Sequence, residues 1–582
     1  MKNIKKAGRE ILKIIIWFFI LSLLITACMH EISPRHTVFL LVDVLMFYFG
    51  LSIFQQKNSY CFGLVALMGI ICSIFFIRYL TPTAIKVWEV DTYLSFAFAI
   101  SNLLLLSVAW RKYLLAKRII AAILLLLIAI PFLISWGYYF SEHAWLGADA
   151  VMAIMQTNVN EALSYVADRT SFVMYIVLGF FVVVWTALVF TVKYVKLKPG
   201  KLPYSIAVLV FALLNIVLVF RTRDNFLTSV YAETRNYQAN YDEFAREKEA
   251  RRQNLVNSKL KFSDRKGIYV LVIGESENRT RMSAYGYGLD TTPWLKSMKT
   301  DPRMLLFTNA YSCHVQTVPV LTYALTAKNQ YNNLSVENQA SILDMAEAAG
   351  YETVWLSNQV KYGSWGTPVT VIANEANQQI WINSHTGNTL DTNYYDGEML
   401  KHLGDIRLSD KMLIVIHLMG SHISYDGRYP KTFDKFSSEG KSSEYDNSVL
   451  YTDYFLQHLV NRLNALPNFM GMIYFSDHGE AINYGMSHDT ATFIFDMTYI
   501  PFFIYFSDAY IKENPQKYQI LKKDVNYTFT NDLIFNTVLG IMGIKDTAHY
   551  EPQNDLTSES YDHDINRFTT LYGKKAIKDD RE

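Results

Sequence analysis

Cysteine is scarce in this chain. The four present are Cys28, Cys61, Cys72 and Cys313. Three lie in apolar stretches, so the polar half holds a single thiol and cannot close a disulfide within itself. Net charge is also missing: 54 Lys+Arg against 53 Asp+Glu leave +1, with no basic arm and no acidic tail. That removes the general electrostatic case for a nucleic-acid-binding protein. Apolar residues are plentiful, at 51% of the sequence with 15% aromatic and a mean hydropathy of +0.10. Such a chain is not disordered, and 582 residues exceed a single core at roughly 100 to 200 residues per domain.

The apolar residues cluster at the front. Runs of spanning length occur at about 12–29, 37–54, 61–79, 93–110, 119–140, 172–195 and 204–220, which predicts a transmembrane domain over residues 1–220 with about seven helices. The second and third runs are short or contain Asp43 and glycines, so a buried or interfacial role for one of them is the plain alternative, and the count is five or seven. With the N-terminus inside, the inner segments carry 14 Lys and Arg and the outer loops four, Arg35, Arg78, Lys86 and Arg169. The positive-inside rule then puts everything after residue 220 outside. Lys2, Lys5, Lys6 and Arg9 before the first run resemble a signal peptide, but the closely following spans make an uncleaved anchor the simpler account.

The outer loop at 141–171 contains Gln156-Thr-Asn-Val-Asn-Glu-Ala162. On a helix, Thr157 and Glu161 share a face and offer a hydroxyl and a carboxylate to an ammonium head group; a solvated connector helix is the plain alternative. Residues 221–262, with Arg246, Glu247, Lys248, Glu249, Arg251 and Arg252 close together, read as a bridge. Phe226, Leu227, Val230 and Tyr231 suggest an amphipathic helix lying on the membrane.

From 263 to 582 the pattern becomes short apolar runs between helical segments. Ile268–Ile273, Met304–Phe307, Thr353–Leu356, Met412–His417, Met470–Phe475 and Ile500–Tyr505 read as buried strands. Ser341–Ala349 and Tyr445–Leu463 read as helices, and the alternation predicts an α/β domain with a mostly parallel central sheet. Ligands of such sheets gather beyond the carboxyl ends of the strands. There the first run ends in Gly274-Glu275-Ser276 and another in Ser476-Asp477-His478-Gly479-Glu480. A carboxylate from one strand and an Asp-His pair from another suit zinc with a position left open for a reacting group. An isolated Asp-His pair is otherwise a structural hydrogen bond.

Thr317, in Ser312-Cys-His-Val-Gln-Thr-Val-Pro319 before the apolar Val320–Leu325, is the candidate nucleophile near a helix N-terminus. An N-cap is its bland role, and Cys313 is the rival nucleophile. His422 and His488 can protonate a leaving group, hold a phosphate or bind a second zinc. A surface role is assigned first to His385, His402, His458, His549 and His563.

Together these segments resemble the membrane-anchored phosphoethanolamine transferases of lipopolysaccharide, which include the mobile colistin-resistance enzymes, and most closely the branch acting on the core heptose. The likeness is carried by Leu271-Val-Ile-Gly-Glu-Ser276, Arg281-Met-Ser-Ala-Tyr-Gly-Tyr287 with Thr291-Thr-Pro293, Thr317, His417-Leu-Met-Gly-Ser-His422 with Arg428-Tyr-Pro430, and Tyr474-Phe-Ser-Asp-His-Gly-Glu480. It extends through the 156–162 loop and so covers the chain from about residue 119 nearly to its end.

The resemblance implies a multi-pass bacterial inner-membrane protein with a periplasmic alkaline-phosphatase or sulfatase-like domain. Phosphatidylethanolamine would be the donor and lipopolysaccharide, at core heptose or lipid A, the acceptor. Zinc would be held by Glu275, Thr317, Asp477 and His478, with His422 and His488 at the substrate or at a second zinc, and Thr157 and Glu161 at the donor head group. Polymyxin resistance is the implied phenotype. Three features depart from relatives: Ala153 stands where some carry Asn, no disulfides staple the soluble domain, and the runs before residue 60 exceed the usual five spans. A phosphoglycerol transferase of the same fold and a non-catalytic membrane scaffold or sensor are the alternatives. A sulfatase proper would need Cys/Ser-x-Pro-x-Arg after Ser312, which this chain lacks.

Overall fold

The computed structural model describes four apolar helices, α1 (Val87–Ser107), α2 (Leu114–Glu142), α3 (Phe172–Thr191) and α4 (Leu202–Arg221), then α5 (Lys248–Asn257). From residue 266 it describes the chain to 581 except 336–338, 360–367, 384–393, 437–440 and 547, and elsewhere only scattered positions. Two compact units result, with α1–α4 in the first and α5 and everything after it in the second.

In the first unit, helices occupy four of the seven predicted runs. The runs at 12–29, 37–54 and 61–79 lie wholly or largely outside the described residues, as do Thr157 and Glu161. Among the described helices one is long and apolar enough to cross a membrane by length and composition, Leu114–Ser141, while Thr92–Leu104, Met174–Phe190 and Ile206–Arg221 are shorter apolar segments. Where helices meet, buried polar groups pair: Asn102 Nδ2 donates to Asn215 Oδ1 at 2.8 Å and Tyr93 Oη to the Ile128 carbonyl at 3.0 Å. Such contacts satisfy polar atoms that hydrocarbon cannot. Outward faces carry Leu115, Ile123, Leu127, Phe172, Ile176 and Val183, all exposed, a surface that suits lipid.

The second unit is built on a seven-stranded sheet: β1 (Gly267–Gly274), β2 (Met304–Phe307), β3 (Glu352–Ser357), β4 (Gln378–Trp381), β5 (Lys411–His417), β6 (Phe469–Ser476) and β7 (Phe502–Phe506). Their order is β2-β7-β6-β1-β5-β3-β4. β6, β1, β5, β3 and β4 run parallel, and β7 is antiparallel to both of its neighbours. The central strand Gly-Ile-Tyr-Val-Leu-Val-Ile-Gly is buried along its whole length. It sends Tyr269, Leu271 and Ile273 into one apolar cluster and Ile268, Val270 and Val272 into another. This two-sided burial is why a parallel strand reads as a continuous apolar run rather than an alternating one.

Helices α6 (Thr317–Ala324), α7 (Ile342–Ala348) and α8 (Lys441–Leu463) flank the sheet. α7 starts at a capping box, in which Ser341 Oγ accepts from Asp344 N–H and Asp344 Oδ2 accepts from Ser341 N–H, each at 3.0 Å. Strand β4 was not anticipated, because Gln378-Gln-Ile-Trp381 is half polar and sits at the sheet edge, where burial demands less of it.

The charged bridge differs from the expected surface helix in one respect. Arg251 of α5 is only 2% exposed, and it pairs with Glu375 at 2.5 Å and Asp344 at 3.4 Å. Part of the charge run thus holds α5 within the second unit. His549, expected on the surface, is 9% exposed because Asp546 Oδ2 accepts its Nδ1 at 2.6 Å.

Candidate metal centre

The carboxyl ends of β1 and β6 lie side by side, with Gly274 opposite Ser476 in register. Glu275 and Asp477 therefore emerge next to one another. Ser276 follows in the left-handed region at φ 58°, an unusual conformation for a side-chain-bearing residue and one that surrounding contacts must hold. Its N–H donates to Asp477 Oδ1 at 2.9 Å and its Oγ to Glu275 Oε1 at 2.8 Å. The Tyr445 hydroxyl donates to the Ser276 carbonyl and accepts from Asn278 N–H, at 2.8 and 2.7 Å.

Ligand atoms of Glu275, Asp477 and His478 all lie within 4.8 Å of one another, and none of the three residues is more than 1% exposed. His478 Nδ1 is 3.1 Å from the Gly479 carbonyl; since a carbonyl only accepts, Nδ1 carries the proton and Nε2 keeps its lone pair. That Nε2 lies 3.3 Å from Asp477 Oδ2 and 3.6 Å from Glu275 Oε1. Burial and the neighbouring Asp477 push the Glu275 carboxyl well above its ordinary range, while burial pulls His478 down, which favours the neutral ligand form. Asp477 Oδ2 is buried with no hydrogen-bond partner among the described residues. Two buried carboxyls facing a neutral imidazole lack one thing, a cation, and the O,O,N donor set suits zinc with an open position.

Thr317 faces this cluster. It is the first residue of α6, and Gln316 occupies the N-cap without a side-chain cap bond. The Thr317 hydroxyl lies 3.2 and 3.3 Å from the Glu275 oxygens and 3.5 Å from His478 Nε2, so it points into the cluster instead of capping the helix. Cys313 is fully buried, and burial pushes its thiol well above the ordinary range, the opposite of an activated nucleophile.

The two other histidines stand on neighbouring turns. His488 packs its ring on His478 at 4.0 Å between centroids, with its Nδ1 2.8 Å from Glu480 Oε1. Burial works against its charged form, but Glu480 outweighs it and the net shift is upward. His422 is shifted well down by burial, then by Arg428, His488 and His478. Its turn is fastened to the centre: Ser421 N–H donates to the Glu275 carbonyl at 2.9 Å, and Asp396 accepts the Met419 and Gly420 amides at 2.9 Å each. Gly420 has φ 50°, and a Cβ there would fall 2.6 Å from the Glu275 carbonyl oxygen.

The sequence did not flag Asp396 or Asn531. Neither stands in a motif with a ligand spacing; each reaches the centre from a distant segment. Glu480 was visible as the end of Asp-His-Gly-Glu, without its partner.

Comparison with known proteins agrees with this geometry. Residues 268–544 match the Sulfatase family. Phosphoethanolamine transferase EptC of Escherichia coli is 28% identical over 509 residues, spanning 79% of this chain and 86% of that protein. Phosphoethanolamine transferase CptA of Salmonella typhimurium is 27% identical over 516 residues with the same shares. The C-terminal periplasmic domain of the Escherichia coli EptC, solved as a complex with Zn, superposes with a TM-score of 0.50 at 28% identity, covering 56% of this chain and 98% of that one. The integral membrane lipooligosaccharide phosphoethanolamine transferase A of Neisseria meningitidis shares the fold over 88% of this chain and 98% of its own, with a TM-score of 0.56 at 19% identity. The second unit, with its candidate metal centre, is thus similar to the Sulfatase family over residues 268–544, in a chain similar to phosphoethanolamine transferases over most of its length.

Proposed function

We propose that this protein is a multi-pass inner-membrane enzyme that transfers phosphoethanolamine from phosphatidylethanolamine to lipopolysaccharide, at core heptose or lipid A, on the periplasmic side. The observation that carries the reading is the Thr317 hydroxyl, aimed at Glu275 and His478 beside Asp477.

Glu275, Asp477, His478 and the Thr317 oxygen are the groups that would hold a zinc ion. When bound, that ion supplies charge that lowers the pKa of a hydroxyl and offsets the charge of a phosphate. Thr317 Oγ1 attacks the donor phosphorus, so an O–P bond forms as the P–O bond to diacylglycerol breaks. Diacylglycerol leaves with a proton equal to the one Thr317 gives up. His488, oriented by Glu480 and the one of the two histidines shifted upward, delivers that proton, and His488 or His422 later takes one from the acceptor hydroxyl. The acceptor oxygen then displaces Thr317 from phosphorus. Thr157 and Glu161 receive the donor ammonium.

With phosphatidylethanolamine and no acceptor, mass analysis of peptide 312–322 should find phosphoethanolamine on Thr317. Thr317→Ala should abolish both adduct and transfer in a folded protein, Thr317→Ser should keep some activity, and Cys313→Ser should remain active. A modified Cys313, or full transfer by Thr317→Ala, would overturn the mechanism.

A further inference from the structure

Beside the edge strand β2 runs a groove of about 510 Å³ that no step above uses. Its wall carries three cations, Arg279, Lys299 and Lys522, and no carboxylate. Among the described residues none of the three is in a salt bridge. Arg279 is held in place without one: its guanidinium lies over Tyr499 at 4.4 Å and over Tyr311 at 4.9 Å, and Nη1 donates to the Ala310 carbonyl. This fixes the plane of the guanidinium, whose fork of donors is the kind that matches a phosphate. Lys299 is tethered by donating to the Ala284 carbonyl at 3.0 Å, and Lys522 stands at the exposed rim.

The rest of the lining narrows the ligand class. Leu305 and Leu306 provide an apolar floor, and Thr280 and Asn526 supply polar groups above it. A flat apolar strip with flanking hydroxyl and amide groups suits the C–H face and the hydroxyls of a sugar ring, and the volume lies within the range of small-ligand sites. A bare fatty chain would leave the three cations uncompensated. Two stretches of chain link the lining to the metal centre: Arg279 comes four residues after Glu275, and Thr280 Oγ1 accepts from Asn483 Nδ2 at 3.1 Å, in the segment between Glu480 and His488.

We propose that this groove is a second substrate site, which takes a saccharide bearing a phosphomonoester and offers a neighbouring hydroxyl to the Thr317 centre. Its role as acceptor site rests on the transfer reading, whereas the binding does not.

The test uses full-length protein in detergent, freed of metal by a chelator and titrated with mannose 6-phosphate, mannose and inorganic phosphate by saturation-transfer and phosphorus NMR. Mannose 6-phosphate should bind more tightly than inorganic phosphate, and mannose should not bind measurably. Lys299→Gln with Lys522→Gln, both at exposed positions, should weaken mannose 6-phosphate at least tenfold with an unchanged circular dichroism spectrum. Unchanged affinity in that double variant, equal affinity for inorganic phosphate, or loss of binding on metal removal would overturn the site. Competition by phosphatidylglycerol micelles that abolishes sugar-phosphate binding would reassign the groove to a lipid head group and also overturn it. Thr317→Ala should bind mannose 6-phosphate as the parent does. If transfer proves absent while this binding persists, the transfer reading falls and the groove stands.

Discussion

Asn531 donates its Nδ2 to the Asp477 carbonyl at 2.6 Å, and the Oδ1 of the same side chain accepts from Cys313 N–H at 2.9 Å. One fully buried amide thus joins the turn that carries Asp477 and His478 to the segment at Cys313 that leads into Thr317.

Removing that link should move Thr317 away from Glu275, Asp477 and His478 without unfolding the domain. Asn531→Ala is expected to lower turnover by roughly ten- to a hundredfold, the range for supports of a metal site. Steady-state assay beside a circular dichroism spectrum checks this; parental turnover in the variant would rule the link out.

Zinc content follows from the same cluster. Asp477→Ala and His478→Ala should each reduce the zinc retained after gel filtration, since an open site has few protein ligands to lose. Parental zinc in both variants, read by atomic absorption, would dismiss the metal assignment.

The buried Arg251 offers a stability test. Arg251→Ala leaves Glu375 and Asp344 buried without their cation, a loss of about 3 to 5 kcal/mol for a broken buried pair. The thermal midpoint of the full-length protein should fall by several degrees, and Arg251→Met with Glu375→Gln should recover part of it. A midpoint equal to the parent's would show that the bridge is not anchored there.

Asp546 governs part of the acid response. Burial alone would raise its carboxyl, but the His549 side chain and the amides of His549 and Tyr550 outweigh burial and hold it down at about 2 against an ordinary 3.8. A depressed folded value means that the stabilisation is present above the ordinary value and is lost as pH falls from about 4 toward 2, on the order of 2 kcal/mol. Asp546→Asn should flatten that part of the stability curve, measured by tryptophan fluorescence against pH. An unchanged acid limb counts against the assignment.

Topology is open to a direct readout. A reporter fused after residue 240 should be active on the periplasmic side, because the bias of 14 basic residues against four and the odd number of spans expected from the sequence both place it there. Cytoplasmic reporter activity there would refute it.

Much of the second unit was legible because parallel strands buried on both faces must be apolar throughout. Ile268–Ile273 and Met470–Phe475 stand out for that reason, and the candidate ligands follow where those runs stop. Gln378–Trp381 escaped because an edge strand need not be apolar. Asp396 and Asn531 escaped because their work is to satisfy main-chain amides and carbonyls, which leaves no mark on residue spacing. His549 was misjudged because a histidine paired three residues away with Asp546 can be buried, and composition alone does not reveal the pairing.

The close approach of Gly420 to the backbone of Glu275 limits how this enzyme type can diversify. With no room for a single methyl, the turn bearing His422 cannot be re-aimed by substitution at its hinge, since any side chain there would lever the Glu275 main chain out of line. A library randomised at position 420 and selected for retained metal should return glycine, whereas variation in acceptor preference would have to arise further from the ligands.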